Sequence, residues 1–187
     1  MRIFIALETP SAVRENLAAL IRSLRAISTQ TRWVRPENLH LTLKFIGEVP
    51  PVKLGSLREA LATVRSDLPV TLDFRSLGFF PDEKRPRVLW AGIAASPNLK
   101  TLVSDIESAL EKQEIPREQR LFEPHLTLAR FAKPGLPENL RSAIRENAPR
   151  DFGSLCTRQF HLIESKLKSG GAEYTTLASF SFATAEG

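Results

Sequence analysis

Apolar and polar positions along the chain change period several times, and each change marks an element. Residues 2–7, Arg-Ile-Phe-Ile-Ala-Leu, form a short apolar run bounded by charge, which predicts a buried strand. Thr9-Pro10 supplies a cap and a proline suited to a first helical turn. Val13, Leu17, Leu20, Ile21 and Leu24 then recur at helical spacing to about residue 27. A strand follows over 39–46, stopped by Gly47 and Pro50-Pro51. Leu54, Leu57, Leu61, Val64 and Leu68 predict a second helix. Residues 70–80 and 87–95 read as a hairpin across the loop 81–86, which is rich in proline and charge.

The order then begins again. Leu89 to Ile93 is followed by Ser96-Pro97, a second cap and proline, and by the stripe Leu99, Leu102, Val103, Ile106 and Leu110. A strand is expected over 122–131, broken by Pro134-Gly135. Leu140, Ala143 and Ile144 mark a short fourth helix. Residues 152–165 and 174–182 close the chain as a hairpin through Ser169-Gly170-Gly171. The order strand, helix, strand, helix, strand, strand is thus expected twice.

Within the two matching strands stands one tetrapeptide, as His40-Leu41-Thr42-Leu43 and again as His125-Leu126-Thr127-Leu128. A period of two sends His and Thr to one face and the leucines to the other. The copies lie about 85 residues apart, too far for a solenoid repeat of ~20–50 residues. The pattern therefore predicts an α+β fold built by duplication, with repeats near 1–86 and 87–187. Two antiparallel sheets would face a central cleft, with helices on the outer faces burying the leucines. No compositional break separates the halves, so 1–187 is expected to be one bilobal domain.

Composition narrows the class. With 187 residues, 42% of them hydrophobic, the chain can bury a real core. No apolar run approaches the ~20 residues of a membrane span, and the first seven residues are too short before Glu8 for a signal peptide. A soluble cytoplasmic protein without a membrane partner, acting as a monomer, is expected. The single cysteine, Cys156, excludes an internal disulfide and lacks a nucleophile motif. A net charge of +5, with basic runs at Lys84-Arg85-Pro86-Arg87 and between Arg117 and Arg120, favours a nucleic-acid or nucleotide partner.

Two imidazoles on opposite walls suit a reaction in which one oxygen loses a proton while another gains one. In-line displacement at phosphorus is such a reaction. An imidazole near its ordinary pKa of ~6.5 can serve as acid or base, and threonine hydroxyls on the same face can hold phosphoryl oxygens. By parity Lys44 joins the face of His40 and Thr42, whereas Arg130 points away unless a bulge turns it back. A metal site is the rival chemistry. Each strand offers it one nitrogen, and although Glu123 precedes His125 by two residues and could face the cleft, Asn38 holds the matching place before His40. His161 has no threonine two residues on and reads as structural.

The segments around both motifs, His40 to Glu48 and Pro124 to Arg130, resemble the signatures of the two-histidine phosphoesterases. The likeness is to the bacterial and archaeal RNA 2′,3′-cyclic phosphodiesterases once called 2′-5′ RNA ligases. It extends to Arg32 through Leu39, to Arg87 through Gly92, and to Ser165 through Gly171 with Tyr174. The resemblance implies a metal-independent, cofactor-free enzyme that opens a terminal 2′,3′-cyclic phosphate to a 2′-phosphate, with reversible 2′-5′ ligation in some members. It implies His40 as proton donor and His125 as proton acceptor, with Thr42 and Thr127 on the phosphate. It also brings in a phosphate role for Arg130, beside the one that parity gives Lys44. A phosphodiesterase for a small nucleotide such as a cyclic phosphate of ADP-ribose, and a non-catalytic RNA-binding module, remain the alternatives.

Overall fold

Ile3, Ile5 and Leu7 alternate with Phe4 and Ala6 along β1 (Arg2–Glu8), and all five are buried. A strand buried on both faces belongs inside a sheet, and β1 runs there between two partners. The computed structural model describes residues 1–133 and 135–182. Pro134, expected with Gly135 to break a strand, lies outside the described residues. After β1 come α1 (Ser11–Ile27), β2 (Arg32–Trp33), β3 (His40–Glu48), α2 (Leu54–Leu61), β4 (Val70–Phe80), β5 (Val88–Ala95) and α3 (Asn98–Glu111). The chain continues through β6 (His125–Arg130), α4 (Glu138–Asn147), β7 (Asp151–Thr157), β8 (Gln159–Lys168) and β9 (Gly171–Ser181).

The strands form two sheets, β3-β1-β8-β9 and β2-β6-β5-β4-β7, with antiparallel neighbours throughout. The α+β architecture of two antiparallel sheets is as expected. Their composition is not what the order of the chain suggests, because neither sheet comes from one half alone. The strand expected over 152–165 is two strands: β7 pairs with β4 in one sheet, and β8 pairs with β1 in the other. Only Arg158 separates them. No glycine or proline interrupts the pattern at this crossing, so it is silent in the sequence. The strand 87–95 serves once, as β5, so the first half contributes β4 without a closing hairpin of its own.

Three smaller expectations also change. Pro10 and Pro97 occupy the positions just before α1 and α3, and neither helix has a side-chain cap. The Thr9 hydroxyl is buried without a partner among the described residues, and that of Ser96 accepts the Thr71 amide at 3.0 Å instead. The second helix stops at Leu61, because the Thr63 hydroxyl turns back to the Ala60 carbonyl and the Ser66 amide reaches the Phe182 carbonyl. Val64 remains in the core, but Leu68 is 61% exposed.

One apolar core joins the helices to the leucine faces of both motif strands, with Leu41, Leu43, Leu126 and Leu128 each at most 4% exposed. The opposite faces, carrying His40, Thr42, His125 and Thr127, are left to line a cleft. Among the described residues no helix is long and apolar enough to cross a membrane.

Candidate active site

Both motif strands carry the same irregularity one residue after the threonine. In β3, Ala6 faces Thr42 but Ile5 faces Lys44, so Leu43 is an extra residue. In β6, Trp90 faces Thr127 but Leu89 faces Ala129, so Leu128 is extra in the same way. A bulge inserts one residue and reverses which face the following side chains take. Position five after each histidine therefore returns to the cleft, as Phe45 in one strand and Arg130 in the other. Position four turns inward, as Lys44 and Ala129, which are 5% and 0% exposed.

This corrects the expectation for Lys44. Its side chain turns from the cleft into the protein. Its Nζ donates to Glu107 Oε2 at 2.8 Å and to the Pro116 carbonyl at 2.8 Å, and so ties β3 to α3 and to the loop that follows α3. Glu123 lines the groove that adjoins the cleft and shares Thr42 and His125 with it, and its carbonyl rather than its carboxylate serves the histidine.

The cleft has a volume of about 300 Å³ and brings together His40, Thr42, His125, Thr127 and Arg130. His125 Nδ1 lies 2.7 Å from the Glu123 carbonyl. A carbonyl can only accept, so the ring donates from Nδ1, and in the neutral form its Nε2 keeps the lone pair. Phe80 meets this imidazole edge-on, with centroids 4.9 Å apart, and packs against Trp90 at 5.3 Å. A side chain at Gly78 would collide with the Trp90 ring, which explains the glycine there.

His40 sits more deeply in its wall. Its Nδ1 is buried and makes no hydrogen bond of ordinary geometry, although the Asn38 carbonyl lies on that side, two residues back as Glu123 is from His125. Tyr174 and Phe4 contact the ring edge-on, at 5.6 and 6.5 Å between centroids. Burial lowers the pKa of His40 below the ordinary histidine value, and Arg14 and His161 add to the shift. The Asn38 carbonyl and Glu8 work against it. His161 itself is buried beside the Ser179 hydroxyl at 2.8 Å, away from the cleft. Burial lowers its pKa as well.

Residue-by-residue reading misses part of the lining: Arg2, Phe4 and Phe45 stand in the cleft, and Asn38 and Tyr174 do so without an assigned role. Phe45 is signalled only through the bulge. Burial raises the Tyr174 pKa, so its phenol stays protonated and able to donate. Among the described residues no Asp or Glu shares the lining around Arg2 and Arg130, and the glutamates that share a lining with His125 and Thr42 do so in the adjoining groove. Among the described residues no group of three His, Cys, Asp or Glu side chains could hold a metal ion.

The family model described as LigT like phosphoesterase matches the chain twice, over residues 7–90 and 93–174. The chain belongs to the LigT-like phosphoesterases. The boundary between the two matches falls within β5, the strand at which the sequence pattern begins again. An RNA 2′,3′-cyclic phosphodiesterase of Archaeoglobus fulgidus is 33% identical over 180 residues, covering 96% of this chain and 99% of its own. One from Thermus thermophilus is 35% identical over 196 residues, covering 97% and 90%. Among solved structures, TT0787 of Thermus thermophilus is similar with a TM-score of 0.77 and 31% identity, covering 97% of this chain and 98% of its own. Escherichia coli LigT complexed with 3′-AMP matches with a TM-score of 0.76 and 28% identity, covering 98% of each chain. Within this LigT-like phosphoesterase the paired motifs account for the cleft, and the unequal residues at position five make its two walls different.

Proposed function

We propose that the protein opens a 2′,3′-cyclic phosphate at an RNA end to a 2′-phosphate, with His40 as proton donor to the departing 3′ oxygen and His125 as proton acceptor from water. Two imidazoles that reach one cleft with two threonine hydroxyls carry this reading. The relatives in Archaeoglobus and Thermus, named for the same activity and matched over nearly the whole chain, support it.

Attack and departure lie on opposite sides of phosphorus, so each imidazole serves one of them. His125, which donates Nδ1–H to the Glu123 carbonyl, presents Nε2 as the base. His40 must arrive protonated. Burial alone opposes that, and the negative charge of the bound phosphate favours it. Thr42 and Thr127 donate to the non-bridging oxygens, and Arg130, returned to the cleft by the bulge, neutralises their charge. The protein supplies acid, base and countercharge itself, so no metal is assigned a step. We read 1–187 as one bilobal domain of two repeats, acting as a monomer in the cytoplasm.

The reading is tested by incubating the protein with an RNA carrying a 2′,3′-cyclic phosphate, in the presence of chelator, and identifying the end group. A 2′-phosphate is expected. A persisting cyclic end, or a 3′-phosphate, would contradict it.

A further inference from the structure

Arg2 stands apart from the groups that a cyclic phosphate engages. It opens β1, and its guanidinium carbon lies 5.0 Å from the centre of the Phe45 ring. It lines the cleft together with Arg130, and both cations act on the Tyr174 phenol. Across the ladder from Arg2, Glu48 lies 3.5 Å from the amino terminus rather than in an ion pair with the guanidinium. Among the described residues no carboxylate shares the cleft lining with the two arginines.

A cyclic phosphate diester carries one negative charge, which Arg130 and a protonated His40 suffice to meet. Arg2 is surplus to that need. A guanidinium held without a carboxylate keeps its capacity for a phosphate. Its position is informative too. Phe4 pairs with Phe45, two residues along β1 from Ala6, which pairs with Thr42. Two residues of strand span ~7 Å, a separation on the scale of successive phosphates in a nucleic-acid strand. The rings of Phe45 and Tyr174 line the same cleft.

We propose that Arg2 binds the phosphodiester on the 5′ side of the terminal nucleoside, so that the cleft selects a polynucleotide end over a mononucleoside 2′,3′-cyclic phosphate. This rests on the cyclic phosphodiesterase reading above. If Arg2 only covered the Phe45 ring, a neutral side chain of similar length would replace it without loss.

The test compares the wild-type chain with Arg2→Met, Arg2→Lys and Arg130→Met on three substrates. These are a nucleoside 2′,3′-cyclic phosphate, a dinucleotide with the same end, and that dinucleotide with an uncharged methylphosphonate as its internal linkage. The wild-type kcat/KM is expected to be about tenfold or more higher on the charged dinucleotide than on either of the others. Arg2→Met should bring the three within about twofold of one another, and Arg2→Lys should keep part of the preference. Arg130→Met should slow all three and leave the ratio standing. Equal wild-type rates on the charged and neutral dinucleotides, or a preference that survives in Arg2→Met, would overturn the inference while leaving cyclic phosphate opening intact. Failure to open any of the three would overturn the proposed function and this inference with it.

Discussion

The imidazoles of His40 and His125 share a motif but not an environment, and their difference lies in Nδ1. That of His125 donates to the Glu123 carbonyl, whereas that of His40 is buried without an ordinary hydrogen bond. Replacing either histidine with alanine is expected to lower the rate about 10²–10⁴-fold while leaving the thermal transition in place, since both rings border a cleft. Loss of thermal stability on the same scale in both variants would mark them as structural. Because burial lowers the His40 pKa, the lower of the two apparent values in the kcat/KM profile should fall below the ordinary ~6.5. The sign follows from the roles. Activity is lost at high pH as the acid deprotonates and at low pH as the base becomes protonated, so residual activity in His40→Ala should rise with pH to a plateau without the alkaline fall. Both histidines and both threonines were legible in the sequence because an alternating tetrapeptide occurs twice. The inequality of the rings was not, since it depends on how the carbonyl two residues back approaches each Nδ1.

At the scale of the element, the matched bulges at Leu43 and Leu128 decide which cation reaches the cleft. Simple alternation assigns Lys44 to the cleft and removes Arg130 from it, and one inserted residue in each strand reverses both. A bulge leaves no mark in the order of polar and apolar residues when its extra residue is a leucine among leucines. Lys44 is instead expected to hold β3 to α3 through Glu107. Lys44→Met should destabilise the fold by about 3–5 kcal/mol, because it strands a buried carboxylate, and Lys44→Met with Glu107→Leu should recover much of that loss. Denaturant unfolding of the two variants checks this. Equal stability in the wild type and Lys44→Met, with a large loss of substrate affinity, would return the lysine to the phosphate.

Across the whole molecule, β8 and β9 join the sheet of the first motif, while β2 and β4 join that of the second. Each wall of the cleft is thereby fastened by chain from both repeats, and a single core lies behind them. The duplication, the two antiparallel sheets and the outer helices were legible from periodicity. The exchange of strands was not, because pairing across the repeats depends on long-range packing that no local pattern encodes. With the proposed acid, base and countercharge all side chains of this one cleft, activity is expected to survive chelation; full loss in chelator, restored by one added metal, would contradict that. The central claim is that two histidines move protons on opposite sides of one phosphorus. It is tested most directly with a cyclic substrate whose departing 3′ oxygen is replaced by sulfur, which leaves with little need of an acid. His40→Ala should regain much of its lost rate on that substrate, while His125→Ala stays slow because water still needs a base. Rescue of the His125 variant alone, or of neither, would contradict the account.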